Sequence, residues 1–205
     1  EAFEAERFAL WVERIKPSWY IVPDALENAE KTMQQMADWF KKYKKVPGKS
    51  IGVVQGKTYQ EIKDCYRAID ELTPCDMIAI SFDYSYYRDS VPHPNKYVSW
   101  MLGRVKLIGD LLNDNVINKD KPHHLLGCGL PQEFSFYKHA DYNFIYSLDT
   151  SNPVVHGIKE IAYDEQGLWS KESQKLHELI DYPLDKLDIN LILDNIKKFR
   201  KFTNG

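Results

Sequence analysis

The chain has 205 residues, of which 27 are basic and 30 acidic, so its net charge of −3 gives no overall positive field to attract nucleic acid. This length fits one domain but is short for a complete eight-fold α/β barrel, which takes about 250 residues. The three cysteines lack disulfide or zinc-site spacing, no apolar run reaches the ~20 residues that cross a bilayer, and no signal peptide is evident.

Helical and extended patterns alternate along the chain. Apolar residues at helical spacing predict helices over residues 3–15, 25–43, 59–72, 96–112 and 187–202, with a short helix opening at Pro131. Short aliphatic runs predict buried strands that begin at Trp19, Ile51, Met77, His124 and Phe144. The aromatic-rich stretch 81–94 predicts a long loop that covers a functional site. The alternation predicts a single α/β domain, residues 1–205, whose parallel sheet curls into a TIM-type (β/α)8 barrel that is incomplete at its N-terminal end.

Polar residues or glycines follow each predicted strand. They are Asp24, Gln55, Gly56, Ser81, Asp83, Gly127, Gly129 and Asp149. The carboxyl ends of parallel strands meet at one edge of a sheet or barrel, so these residues are expected to share one pocket. The histidines show no metal-binding spacing, and His123 with His124 is expected to begin a strand rather than to bind metal.

Four segments resemble motifs of the tRNA-guanine transglycosylases. Residues 52–56 resemble that family's GIVQGG segment, and residues 124–133 resemble its YLMGVGTPED segment. Residues 148–150 stand where the family has its FDC nucleophile motif, and residues 22–25 resemble its FDEC segment. The motifs occur in the family's order and cover roughly residues 18–157.

The sequence also departs from that family. Its Gly-Gly-Leu segment is here Ser81-Phe82-Asp83, and its Cys-x-Cys-x-x-Cys zinc cluster is absent, so we expect no structural zinc and no cofactor. The segment that carries the family's second catalytic aspartate would lie at or before Glu1, so we expect the natural protein to begin earlier. A smaller, zinc-free chain is more similar to the DNA-acting branch of phages and bacteria than to the tRNA enzymes.

The resemblance implies a role for each residue at the strand ends. Asp149 would be the nucleophile that attacks the sugar C1′. Asp24 would bind the two donors of guanine's Watson–Crick edge, and Gln55 would donate to O6. Gly56, Gly127 and Gly129 would let the backbone approach the ligand, and Leu126 would cover the flat base. Ser81 and Asp83 would contact substrate in place of the missing glycines, with Asp83 a reserve general base.

Structural alternatives exist for several of these residues. Asp24 with Glu27 is a plausible capping pair for the next helix. Gln55 and Gly56 also suit a plain turn, and Asp149 begins a sequence typical of an Asx turn. Three loop residues, Tyr84, Tyr86 and Tyr87, would either stack on a flipped base or pack onto the barrel rim.

We expect a base-exchange glycosyltransferase that replaces guanine in nucleic acid, DNA rather than tRNA, with a free 7-deazaguanine base. Two alternatives are a non-catalytic subunit that binds guanine or deazaguanine, and an unrelated α/β-barrel enzyme acting on a small molecule. The site would be completed either by a homodimer or a partner subunit, or by a catalytic group on residues before Glu1. The expected location is the cytoplasm of a bacterium or a phage-infected cell, with no membrane association.

Overall fold

The computed structural model describes residues 4–163, 169–173, 185 and 187–203. The described strands are β1 (Trp19–Ile21), β2 (Lys49–Val53), β3 (Met77–Ser81), β4 (His123–Leu126) and β5 (Ile145–Leu148). The α-helices are α1 (Ala5–Ile15), α2 (Ala29–Lys42), α3 (Tyr59–Leu72), α4 (Ser85–Ser90), α5 (Lys96–Asn113), α6 (Asn152–Ile158) and α7 (Ile189–Thr203). Two 3₁₀ helices, Pro131–Tyr137 and Ala140–Tyr142, lie between β4 and β5. None of the described helices is long and apolar enough to cross a membrane.

The five strands form one all-parallel sheet whose order follows the chain, β1-β2-β3-β4-β5. Crossovers between parallel strands are right-handed, so this order places the crossover helices on one face. The same winding builds α/β barrels, and the described sheet is compatible with part of one, without closure or eight-fold repetition. The predicted α/β class with a parallel sheet is confirmed; the curling of this sheet into an incomplete (β/α)8 barrel stays a prediction.

Residues along each strand divide between two apolar clusters. Ile78 and Ile80 on β3, with Val54 just after β2, pack with the helices in the larger cluster. Their neighbours Ile51, Val53, Met77 and Ala79 form the smaller cluster, with Trp19 and Leu126 against it. This alternation, two residues per repeat, gives the sheet a helix-covered outer face and an inner face whose carboxyl-terminal edge holds the polar residues.

Several element boundaries differ from the predicted ones. The second helix begins at Ala29 rather than at residue 25, because the Asn28 side chain caps it by accepting from the Lys31 amide. The loop at 81–94 contains a helix, α4, and Tyr146 on β5 is 70% exposed because β5 is an edge of the described sheet. Phe3, at the start of the first predicted helix, lies outside the described residues.

His123 confirms the prediction that this histidine pair begins a strand. Its Nε2 lies 2.8 Å from the Tyr66 hydroxyl, and its Nδ1 lies 2.8 Å from the Lys121 carbonyl oxygen. The Asn118 amide donates to the same hydroxyl, which therefore donates its own proton to Nε2. Burial lowers the pKa of His123 to about 4, so a neutral ring with its proton on Nδ1 joins β4 to α3.

A buried ion pair, Arg104 with Glu133, joins α5 to the carboxyl ends of β3 and β4. Arg104 Nε lies 2.6 Å from Oε1 of Glu133, and Nη2 lies 2.9 Å from Oε2, a bidentate pair with both side chains at most 1% exposed. The guanidinium also donates to the carbonyl oxygens of Ile80 at 3.3 Å, Leu126 at 3.0 Å and Gly127 at 3.0 Å. One side chain therefore holds three backbone carbonyls at the edge where the polar residues collect.

Replacing Arg104 with methionine leaves the Glu133 carboxylate buried without its cation, and the three carbonyls lose a donor. We expect the free energy of unfolding to fall by about 3–5 kcal/mol. Urea denaturation followed by circular dichroism measures it. The matched control is Lys106→Met, which breaks the exposed Lys106–Asp110 pair on the same helix and is expected to cost less than about 1 kcal/mol. Equal losses in the two variants would contradict a structural role for the buried pair.

Candidate functional site

A cavity of about 420 Å³ lies at the carboxyl ends of the strands. Its lining includes seven residues predicted from the sequence, namely Asp24, Gln55, Ser81, Asp83, Leu126, Gly127 and Asp149. A larger cavity, about 710 Å³, lies beside β5 and α7 and is lined by none of them. The site predicted from the strand ends therefore corresponds to one continuous cavity.

Gly56 and Gly129 are not among the residues that line it. A Cβ on Gly56 would lie 2.8 Å from the Ile62 amide nitrogen, so this glycine allows α3 to begin directly against the end of β2. Gly129 accepts a 3.5 Å hydrogen bond from the buried Asn152 side chain through its carbonyl oxygen. Both glycines thus serve the backbone around the cavity.

Asp24 and Gln55 form a hydrogen-bonded pair across the ends of β1 and β2. Gln55 Nε2 donates to Asp24 Oδ2 at 2.6 Å, and Gln55 Oε1 accepts from the Glu27 amide at 2.7 Å. The amide orientation follows from these partners, because only the oxygen can accept from a backbone N–H. One N–H of the buried Gln55 side chain remains for a ligand.

The Asp24 carboxyl is half-buried. Burial raises the pKa of Asp24 above its ordinary value, and the hydrogen bond from Gln55 opposes that shift. The predicted capping alternative for Asp24 is wrong, because Asn28 caps α2. Glu27 adopts a left-handed backbone with φ of 52°, and its carboxylate accepts from the Ser85 amide at the start of α4.

Asp149 stands just beyond β5, and its carboxylate is held in place by β4. Oδ1 lies 3.0 Å from the Gly127 amide nitrogen, which donates to it, and 3.1 Å from His124 Nε2. His124 Nδ1 lies 2.8 Å from the Ser147 hydroxyl, which orients the ring. The hydrogen bond from His124 and that from Gly127 lower the pKa of Asp149, although partial burial opposes them. Its side chain is 60% exposed, so the site presents an ionised, oriented and accessible carboxylate.

Gly127 is the backbone element that the Asp149 contact requires. Its φ of +65° turns its amide toward the carboxylate, and a Cβ there would lie 2.4 Å from the Phe82 ring. Its carbonyl oxygen is bound by Arg104 on the other side. Any larger residue at this position would displace Phe82 and tilt the amide away from Asp149.

The segment that follows β3 supplies Ser81, Phe82 and Asp83. Ser81 Oγ donates to Asp83 Oδ1 at 2.8 Å, and the Ser81 carbonyl accepts from the Tyr87 hydroxyl at 2.8 Å. Asp83 is exposed at the cavity, but its side chain is already engaged in this local contact. The segment thus presents a hydroxyl and a carboxylate at the cavity.

The loop tyrosines adopt the packing alternative. Tyr84 and Tyr87 are fully buried, and the Tyr84 hydroxyl donates to the Val54 carbonyl. Tyr86 is partly buried and lies 6.4 Å, centroid to centroid, from Tyr59. Tyr84 and Tyr87 anchor the segment after β3 and offer no surface to a flipped base.

His124 and Lys171 are two of the residues at the site that were not among those predicted. His124 could have been found from its spacing, because it precedes Leu126 by two residues and so shares the inner face of β4. Lys171 follows a stretch without a clear pattern, and only the three-dimensional structure places it in the cavity. Burial lowers the pKa of Lys171 below its ordinary value, an effect opposed by the negative charges of Asp83 and Asp149.

Among the residues that the structure describes, no three His, Cys, Asp or Glu side chains are grouped so as to hold a metal ion. No protein-family model and no curated protein matches the chain. The chemistry of the cavity therefore follows from its own residues.

The two carboxylates are expected to titrate on opposite sides of the ordinary aspartate pKa, with Asp149 below and Asp24 above. Ionised Asp149 then stabilises the fold above the pKa of its unfolded form, and this stabilisation is lost as pH falls through the folded pKa. Asp24 has the opposite sign, because its contribution is present below the unfolded pKa and is lost as pH rises through the folded one. Carboxyl-carbon NMR titration measures both values.

His124→Phe is expected to raise the pKa of Asp149, because it removes the hydrogen-bond donor with the largest effect on that carboxylate. The pKa of Asp24 is expected to stay unchanged. The matched control is His139→Phe, which removes an exposed histidine that faces Asp141. An Asp149 pKa that does not move in His124→Phe would contradict the assigned contact.

Proposed function

We propose that the protein is a base-exchange glycosyltransferase that replaces guanine in nucleic acid with a 7-deazaguanine through a covalent Asp149–glycosyl intermediate. The supporting observation is that one cavity unites Asp24, Gln55 and Asp149, which arise from three different strand ends. These are the residues to which the motif resemblance assigns the base clamp and the nucleophile. The preference for DNA over tRNA rests on the resemblance to the smaller, zinc-free branch.

Base recognition in this proposal falls to Asp24 and Gln55. Guanine presents two donors, N1–H and the exocyclic amine, beside its O6 acceptor. The Asp24 carboxylate accepts from both donors, and the remaining N–H of Gln55 donates to O6. Val53 and Leu126 also line the cavity and supply apolar contacts to the flat ring. The hydrogen-bonded Asp24–Gln55 pair is thus complementary to the Watson–Crick edge of guanine.

Asp149 carries the covalent step. Its carboxylate attacks C1′ while the C1′–N9 bond breaks, and guanine takes up one proton on N9 as it leaves. The incoming deazaguanine gives up one proton from its corresponding nitrogen and displaces the carboxylate, which restores the enzyme with retained configuration at C1′. The exchange consumes no water and no net proton. His124 and Gly127 hold the attacking group in one orientation, which reduces the entropy cost of the reactive geometry.

The chemistry at C1′ bears on how substrate enters. An enzyme that works on a nucleotide inside a duplex requires its base to leave the stack. The target nucleotide is therefore taken as unstacked or single-stranded.

A non-catalytic base-binding subunit is the second candidate. The observation that favours it is that Asp149 Oδ1 already accepts two hydrogen bonds, which lower the basicity of the carboxylate. This alternative predicts that guanine or a deazaguanine base raises the melting temperature of the protein without exchange.

The test is incorporation by the protein of a radiolabelled 7-deazaguanine base into guanine-containing DNA and into tRNA. Asp149→Asn is expected to lower the exchange rate by at least about 10³-fold, because the amide is not a nucleophile. The matched control, Asp89→Asn, changes an exposed aspartate of α4 outside the cavity and is expected to leave the rate unchanged. Base binding without incorporation into either nucleic acid would contradict the proposal and favour the binding subunit.

A further inference from the structure

Lys171 brings a cation to the cavity that contains the proposed nucleophile. Its ammonium nitrogen lies 3.5 Å from the centroid of the Phe82 ring, and both residues line the cavity with Asp149. A lysine on an aromatic face is stabilised by the ring's electron density while its remaining N–H groups stay available to an anion. The placement therefore suits a group that binds a negatively charged part of a substrate.

The backbone around Lys171 is fixed by the start of α5. Asn95 caps that helix by accepting from the Tyr97 amide, and its Nδ2 donates to the Trp169 carbonyl at 2.7 Å. The Tyr97 hydroxyl donates to the Lys171 carbonyl at 2.8 Å. On the other side, the Glu172 carboxylate pairs at 2.8 Å with Lys159, which follows α6 directly. These contacts hold Lys171 over the cavity through its main chain, which leaves its side chain free to act on a ligand.

A surface of rings and cations continues outward from Lys171. Trp100 packs edge-on against Phe82 and Tyr97, with centroids 5.5 and 5.6 Å away. The Lys96 ammonium lies 5.0 Å from the Tyr97 centroid and 5.4 Å from that of Trp100. Trp169 is 64% exposed beside them. We call Phe82, Lys96, Tyr97, Trp100, Trp169 and Lys171 the aromatic rim.

The composition of the aromatic rim matches one kind of partner. Flat rings stack on unpaired bases regardless of sequence, and lysines between them neutralise the phosphates that join those bases. An acidic protein partner would form ion pairs with the two lysines, but it would offer no flat ring to stack on Trp169. The chain as a whole is mildly acidic, so a local basic and aromatic surface is needed if a polyanion is to approach this edge.

We propose that the aromatic rim binds the single-stranded nucleic acid that flanks the exchanged nucleotide. Lys171 contacts the phosphate nearest Asp149, Lys96 contacts a neighbouring phosphate, and Trp169 stacks on an adjacent base. The inference rests on the proposed function for the position of the target nucleotide, because Asp149 marks the sugar from which the strand extends. It adds to that function a path for the strand, from the end of β3 along the start of α5.

The experiment measures binding of a fluorescent, guanine-containing single-stranded oligonucleotide, as DNA and as RNA of the same sequence, over a range of salt concentrations. All proteins carry Asp149→Asn, so that no exchange occurs during titration. The double variant Lys96→Met with Lys171→Met is expected to flatten the slope of log affinity against log salt by about 0.7 for each phosphate that no longer pairs with a lysine. Trp169→Ala is expected to weaken binding roughly tenfold at constant salt slope, because it removes stacking and not charge.

The matched control is the double variant Lys41→Met with Lys45→Met, which removes the same charge at the end of α2. That helix runs antiparallel to the strands, so these lysines lie at the opposite edge of the sheet. Equal slopes in the two double variants, or no binding of either oligonucleotide by the parent protein, would overturn the proposal.

The binding and exchange results separate the two proposals. Selective weakening of binding by the rim variants, together with no exchange by the protein that retains Asp149, would support the aromatic rim and refute the transferase. Exchange activity combined with nucleic-acid binding that the rim variants do not weaken would support the transferase and refute the aromatic rim.

Discussion

The buried guanidinium of Arg104 is the contact on which the geometry of the cavity depends. It reaches from α5 to the ends of β3 and β4, and Glu133 compensates its charge in a bidentate pair. By binding the Gly127 carbonyl, it fixes the peptide whose neighbouring amide donates to Asp149. A charge buried this completely is costly to remove from water, so it persists only where every donor finds a partner. The result of the ion pair is a rigid edge beneath the site.

The order of the sheet explains why the site needs so few residues from each segment. Since all five strands are parallel and follow the chain order, each contributes one to three residues at or just beyond its end to the same edge. Asp24 and Gln55 come from neighbouring strands and pair directly, whereas Asp149 is held from β4 by His124 and Gly127. The two carboxylates at opposite ends of the cavity therefore lie in different environments. Burial raises the pKa of Asp24 at one end, and hydrogen bonding lowers that of Asp149 at the other.

The strand ends were predictable from the sequence because alternation and polar endings are local signals that parallel pairing converts into proximity. The sequence left alternatives open where a non-local contact decides the outcome. Asp24 pairs with Gln55 of the next strand end and does not cap α2, and the loop tyrosines Tyr84 and Tyr87 take the packing alternative by entering the core. Arg104 does have a local signal, because it stands three residues after Met101 and four before Ile108, on the buried side of α5. Lys171 has none, since its position depends on Asn95 and Tyr97, more than 70 residues earlier.

The central claim is that Asp149 forms a bond to the sugar. The most direct measurement is to denature the protein rapidly during turnover with a guanine-containing oligonucleotide and a deazaguanine base, and to map any adduct by peptide mass spectrometry. The account predicts one adduct, with the mass of the oligonucleotide less guanine, on the peptide that contains Asp149. Base exchange with an adduct on another residue, such as Asp83, would contradict it.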